Sequence, residues 1–381
     1  LFCINYNYQS IKEPSTQADG FLIFKKEHTM ELLELTQRER AMDTVQQAEP
    51  IISPGALKEL HPLTAEGNAL VTDTRQNIID IMKGQDDRTL LVLGPCSEDE
   101  SRQSDGTYSV YAFAQILMQI QLMPEIKDRF LIVMRCPPAK PRTELGRAGL
   151  EQDDLELARE LLAGVVNMGM PLAIEVMDKE QMAHYGDLAS LIWGGPRNMG
   201  SSSLRHTLSA YGIPCLAKSG LDGDVRFAEQ AAMTIMSPHP NVRVTRDDGV
   251  TGVIPMSKGN PYAGLLWRGD SKNKSEERVV EGLARMSQSK LPYGFDAAHG
   301  NAECCDPRGE RTAEGQVRAF RLFINALKSG SLEKPPFAVF IEAYLYQGKD
   351  VSGNTPGMSR TDECVGIETA EQLVHELAHL L

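Results

Sequence analysis

The most constraining feature of this chain is an alternation, from about residue 58 onward, of short apolar runs with longer amphipathic stretches. The runs are "TLLVLGPCS" (89–97), "RFLIVMR" (129–135), "PLAIEV" (171–176), "LASLIWGG" (188–195) and "IPCLAKSG" (213–220), then "AGLLWRG" (263–269), "YGFDAAHG" (293–300) and "FAVFIEAYL" (337–345). Between most of them lie helical patterns, at 104–122, 153–168, 179–187, 224–236, 275–289, 313–329 and 368–381. Strand–helix alternation repeated about eight times predicts a (β/α)8 TIM barrel rather than an open sheet. One segment interrupts it. "NVRVTRDDGVTGVIPMS" flanks "DDG" with β-branched residues, which predicts a hairpin inserted between the fifth helix and the sixth strand.

The barrel is expected over 58–381 and an N-terminal extension over 1–57, of which 1–29 read as a leader adding little to function. "LFCINYNYQSIKEPSTQADG" lacks a basic-then-apolar signal pattern. A net charge of −13 argues against nucleic acid or an anionic membrane surface as the main partner, and no apolar run approaches the roughly 18 residues of a membrane span. Small anions are still compatible with a local cluster of Arg and Lys. The seven cysteines are scattered and include no CxxC pair, so a reduced, cytoplasmic setting is expected.

Active sites of such barrels form at the C-terminal ends of the strands. The expected strand ends carry Cys96, Arg135, Glu175, Arg197 (just past the fourth), Lys218, Arg268, His299 and Glu342. Any one of these reads better as an ordinary loop charge or core residue; all eight together do not. Cys96, His299 and Glu342, with Asp362 of "SRTDECVG", offer a thiolate, an imidazole and two carboxylates. That mixed donor set suits a divalent transition metal (Mn, Fe, Co or Zn) better than Mg or Ca. Arg135, Arg197, Lys218 and Arg268, with "KPRT" (Lys140, Pro141, Arg142, Thr143), form a cationic set. Guanidinium forks match phosphate and carboxylate geometry, so two phosphorylated substrates, or one phosphate and one carboxylate, would fit.

The motifs "GPCS", "MR…KPRT", "KSGLDGD", "SKGN…WRG", "DAAHGN", "IEAYL" and "RTDECVGIE" occur in an order that resembles the type I 3-deoxy-D-arabino-heptulosonate-7-phosphate (DAHP) synthases, over roughly residues 58–380. The resemblance implies condensation of phosphoenolpyruvate with erythrose 4-phosphate, the opening step of the shikimate route to aromatic compounds. It further implies Cys96, His299, Glu342 and Asp362 as metal ligands. Arg135, Lys140, Arg197, Lys218 and Arg268 would hold phosphoenolpyruvate, with Glu175 beside it, and Arg142 and Thr143 would hold the aldose phosphate. Lys140 would protonate the aldehyde oxygen, while Lys218 or Glu175 would handle the proton of the attacking water. A homodimer or homotetramer is implied as well.

The chain departs from that family at "RNMGSSS", where Arg-Thr-Thr-Glu-Ser is usual, and in the loop after "KPRTELGRAGL", which is shorter. "WRGD" stands for Arg-Gly-Gly, "AHGNAE" for Ser-His-Ala-Asn-Ser and "EAY" for Glu-Ser-His. These changes leave open a paralogue using another aldose phosphate, a non-catalytic regulatory paralogue, or an aldol enzyme using Lys218 as a Schiff base. "HELAH" (375–379) spells the H-E-x-x-H of zinc peptidases. Only Leu380 and Leu381 follow it, leaving no downstream third ligand, and it reads better as a closing amphipathic helix with Leu373, Leu377, Leu380 and Leu381 toward the barrel.

Overall fold

The computed structural model describes residues 51–97, 100–137 and 155–380. Ile52–Leu381 form one compact unit. The expected boundary at 57/58 falls inside a helix, α1 (Pro54–Leu60), whose N-cap Ser53 accepts a hydrogen bond from the Ala56 amide. Helix α2 (Ala65–Met82) follows, capped by Thr64 in the same way.

Eight parallel strands then close into a barrel: β1 (Thr89–Gly94), β2 (Phe130–Arg135), β3 (Leu172–Glu175), β4 (Ala189–Gly194), β5 (Cys215–Lys218), β8 (Ala263–Trp267), β9 (Tyr293–Asp296) and β10 (Ala338–Tyr344). Closure is the pairing of β1 with β10, in register from Leu90 opposite Ala338 to Gly94 opposite Glu342. Strands β6 (Pro240–Thr245) and β7 (Thr251–Met256) form the expected antiparallel hairpin, placed between α8 (Val225–Met236) and β8. A two-residue strand, β11 (Val365–Gly366), pairs with the C-terminal end of β10 at Ala343 and Tyr344.

Between the strands lie α3 (Ser109–Gln121), α4 (Pro124–Lys127), α5 (Leu155–Asn167), α6 (Lys179–Tyr185) and α7 (Ser202–Leu208), then α9 (Glu276–Ser287), α10 (His299–Cys305), α11 (Ala313–Lys328) and α12 (Ile367–Ala378). The barrel interior and the strand–helix layer are two separate apolar clusters, as period-two alternation of strand side chains requires. On β1, Leu90 and Val92 belong to the interior, while Leu91 and Leu93 face the helices. Ile78 of α2 packs into the interior cluster with Met82 beside it. Gly94 has no room for a side chain, since a Cβ there would lie 2.0 Å from the Arg135 carbonyl oxygen. That close approach accounts for the glycine of "GPCS".

Candidate active site

Alternation predicts what the uppermost inward position on each strand holds. Above the apolar interior residues Leu90, Val92, Val133, Ala173, Leu191, Leu216, Leu266 and Phe340 come Arg135, Glu175, Trp193, Lys218, Arg268, Asp296 and Glu342. The six charged members of this layer are each no more than 6% exposed. Charges are kept at such burial only when paired or poised to meet a ligand.

The pairs are specific. Arg135 Nη1 makes a very close ion pair with Glu342 Oε1, and Nη2 donates to the Cys96 carbonyl at 3.4 Å. The guanidinium lies 5.4 Å from the centre of the Trp193 ring, a cation–π distance. Burial opposes charge on Arg135, but Glu342 and the neighbouring acidic groups outweigh it and raise its pKa. Lys218 Nζ lies 3.0 Å from Asp296 Oδ2. Burial would protonate Asp296, yet Lys218 and His299 hold its carboxyl well below the usual range.

The donor atoms of Cys96, Glu342 and Asp362 all lie within 4.8 Å of one another. The Cys96 thiol is 3.5 Å from Asp362 Oδ2, and a buried Gln316 clamps the backbone of Glu342 from α11, donating to its carbonyl at 3.0 Å and accepting from its amide at 2.6 Å. His299 adjoins this trio, with Nε2 3.4 Å from Glu342 Oε1 and Nδ1 2.9 Å from Asp296 Oδ2. It is not at a strand end as expected: β9 stops at Asp296, and His299 is the first residue of α10, with φ of 57°. This left-handed conformation is one His adopts more readily than most residues. Burial and Lys218 lower the His299 pKa to about 4 against the pull of Asp296 and Glu342, so the ring is neutral near pH 7, the form that binds metal. A thiol, a neutral imidazole backed by a carboxylate, and two carboxylates fit a divalent transition metal.

The structure brings Arg268 to the mouth, buried and just past β8, with Nη1 donating to Ser271 Oγ at 3.1 Å. Its Nε has no hydrogen-bond partner among the described residues. Burial, then the positive charges of Arg311 and Arg197, lower its pKa. Arg197 is exposed, immediately before a short 3-10 turn (Asn198–Gly200). Glu175 stands against the end of β4, where a Cβ on Gly195 would lie 2.8 Å from Glu175 Oε1. Lys140, Arg142 and Thr143 lie outside the described residues.

Residues not singled out from the sequence also reach the mouth. Asp296 lies within "DAAHGN", and its even spacing from Gly294 marks it as inward. Arg311 and Glu303 carry no comparable signal. Arg311 Nε donates to Glu303 Oε1 at 2.6 Å, and Nη1 lies 3.4 Å from Asp362 Oδ2. By contrast, "HELAH" lies on α12, where Leu373 and Leu377 are buried, Leu380 is partly buried and Leu381 falls outside the described residues. His375 Nδ1 lies 3.7 Å from Glu125, and Glu376 pairs with Arg321 at 2.8 Å. The helix packs and makes surface ion pairs.

A closed parallel barrel whose mouth holds a buried charged layer beside a candidate S/N/O metal site has the architecture of a barrel enzyme with its site at the strand ends. The chain belongs to the DAHP synthetase I family, whose model matches residues 62–375. It is 30% identical over 346 residues to the Tyr-sensitive phospho-2-dehydro-3-deoxyheptonate aldolase of Escherichia coli K12, covering 86% of this chain and 92% of that one. It is 31% identical over 351 residues to the Trp-sensitive enzyme of Shigella flexneri, covering 87% and 94%. The solved structure of the Francisella tularensis SCHU S4 aldolase superposes with a TM-score of 0.74 at 26% identity, covering 87% of this chain and 97% of that one.

Proposed function

We propose that this barrel condenses phosphoenolpyruvate with erythrose 4-phosphate to give DAHP and inorganic phosphate, as the family and its named relatives suggest. The observation that carries the reading is the buried layer of Arg135, Lys218 and Arg268 adjoining the Cys96–Glu342–Asp362 trio. Cations there would hold the phosphate and carboxylate of phosphoenolpyruvate; the trio, with His299, would hold Mn, Fe, Co or Zn. When bound, such a metal supplies Lewis acidity toward the aldehyde oxygen.

The chain's own groups do the rest. Arg268 and Arg197 orient the phosphate, Arg135 and Lys218 the carboxylate, so that C3 of the enol faces the aldehyde carbon. Arg142 and Thr143 hold the phosphate of the aldose. As the C–C bond forms, Lys140 gives a proton to the aldehyde oxygen. Water adds to C2, its proton passing to Glu175 or Lys218, and the C2–O bond to phosphate then breaks. Lys218 Nζ is held 3.0 Å from Asp296 Oδ2, which suits it to pair with the carboxylate rather than to form a Schiff base and leaves Glu175 the better acceptor of the water proton.

The altered "RNMGSSS" and "EAY" segments surround the site, so the acceptor is what an assay must establish first. Phosphate release from phosphoenolpyruvate is measured with erythrose 4-phosphate and, separately, with five-carbon aldose phosphates. Preference for the tetrose supports the proposal; preference for a longer aldose assigns a specialised paralogue, and no release with any acceptor assigns a non-catalytic one. We place the enzyme in the cytoplasm, where six buried free cysteines stay reduced, and propose a homodimer or homotetramer, which sedimentation would test. No helix of the described residues is long and apolar enough to cross a membrane.

A further inference from the structure

Arg311 stands outside the barrel strands, beside the candidate metal ligand Asp362. It lies in the loop between α10 and α11, beyond the seventh barrel strand, a region that in such barrels often contributes to phosphate binding. Its guanidinium is held most closely at Nε, by the 2.6 Å bond to Glu303 Oε1. Glu303 is only 6% exposed, and its second oxygen, Oε2, accepts no hydrogen bond, though Lys274 Nζ approaches to 3.6 Å. The Nη1 contact to Asp362 Oδ2, at 3.4 Å, is long for a charged pair, and Nη2 makes no hydrogen bond among the described residues. Arg311 therefore faces the mouth with donors to spare.

Arg268 offers a second, independent pointer to an anion. It is 1% exposed, and its Nε is buried without an acceptor. A buried charged donor left unmatched is costly, and a ligand oxygen would satisfy it. The charges of Arg311 and Arg268 are close enough to disfavour one another, which a shared anion would relieve.

We propose that Arg311 is a further substrate-binding residue, which joins Arg268 on the phosphate of phosphoenolpyruvate while Glu303 holds it in position. The proposal rests on the reading that phosphoenolpyruvate occupies this mouth. Arg311 keeps its Nε on Glu303 and offers its remaining donors to the substrate. It is a binding residue, so its loss raises KM for phosphoenolpyruvate far more than it lowers kcat.

The test uses the full chain loaded with Mn²⁺. Trp193 adjoins the site, its ring centre 5.4 Å from the Arg135 guanidinium, so its fluorescence reports phosphoenolpyruvate binding without turnover. Wild type, Arg311→Met and Glu303→Gln are titrated with phosphoenolpyruvate, and KM for each substrate is measured beside them. Arg311→Met is expected to weaken phosphoenolpyruvate about tenfold or more, the size expected for losing a charged hydrogen-bond partner. KM for erythrose 4-phosphate is expected to stay within about twofold, with Glu303→Gln showing an intermediate loss of phosphoenolpyruvate affinity. Arg311→Lys, which keeps the charge, serves if the Met variant does not fold and is expected to recover part of the affinity. Unchanged phosphoenolpyruvate affinity in a folded variant overturns the proposal, as does a loss confined to erythrose 4-phosphate. Failure of wild type to bind phosphoenolpyruvate would instead overturn the reading of the site itself.

Discussion

Asp296 connects the two chemistries of the mouth. Its Oδ2 lies 3.0 Å from Lys218 Nζ and 2.9 Å from His299 Nδ1, so one carboxylate both neutralises a buried substrate-facing cation and orients an imidazole. Asp296→Asn keeps the shape and removes the charge. Stability should fall by about 3–5 kcal/mol, the cost of leaving a buried ion without its partner. Metal affinity should fall about 10- to 100-fold, as when a carboxylate behind a ligating histidine is lost. Urea unfolding and metal titration of the purified variant measure the two; an unchanged metal affinity would separate Asp296 from the metal centre. At this scale much of the site is legible in the sequence. Cys96, Arg135, Glu175, Lys218 and Arg268 end or just follow strands and Glu342 lies near the C-terminal end of β10, where a two-residue period makes inward positions countable. Arg311 is not legible, because nothing periodic ties a loop residue to a mouth built by other segments. His299 sits one element later than its text suggests, since "DAAHG" runs on from apolar residues and the turn into α10 depends on a left-handed backbone angle that composition does not reveal.

The strands and the hairpin differ in how firmly they are held. At β1, Gly94→Ala would drive a Cβ to within 2.0 Å of the Arg135 carbonyl and displace the strand that carries Arg135. A loss of about 1–3 kcal/mol, typical of overpacking, is expected in thermal or urea unfolding, with reduced metal affinity because Cys96 follows two residues later. Wild-type stability in the alanine variant would mean that the close approach is readily relieved. The β6–β7 hairpin has only Val242 buried, whereas residues 90–94 of β1 are all buried. Hydrogen exchange should therefore open peptides spanning 240–256 well before those of β1, because local opening is easiest where little apolar surface is buried. Equal protection would show that the hairpin is covered in the assembled protein. Element type and order are readable because strand and helix periods differ. The ends are less so: the helix expected from 104 begins at Ser109, after a turn in which Arg102 and Tyr108 bridge. Helix α10 starts inside the run expected as strand over 293–300, of which only Tyr293–Asp296 is strand.

Across the whole molecule, the cysteines set an alkaline limit. Burial pushes the thiols of Cys215 and Cys305 up to about 12 from an ordinary value of 9.0. A group whose pKa is raised by folding contributes its full stability below the unfolded pKa and loses it as pH rises toward the folded one. Stability should accordingly decline from about pH 9 toward pH 12, by an amount on the order of 4 kcal/mol for Cys215 alone. Cys215→Ala should flatten the upper part of that decline in a pH series of urea midpoints, and an identical slope would assign it to other groups. The eightfold alternation makes the closed barrel legible, because each amphipathic helix must cover a strand and a ring of parallel strands leaves no edge. The depth of the charged layer is not legible in the same way, being a property of closure and not of any one segment. The most direct test of a metal-assisted condensation at this mouth is phosphate release from phosphoenolpyruvate and erythrose 4-phosphate by metal-stripped protein as Mn²⁺ is added back. Release should be absent at the start, rise with added metal and saturate near one ion per chain. Full release by protein held in EDTA, or none from a folded and metal-loaded sample, would contradict it.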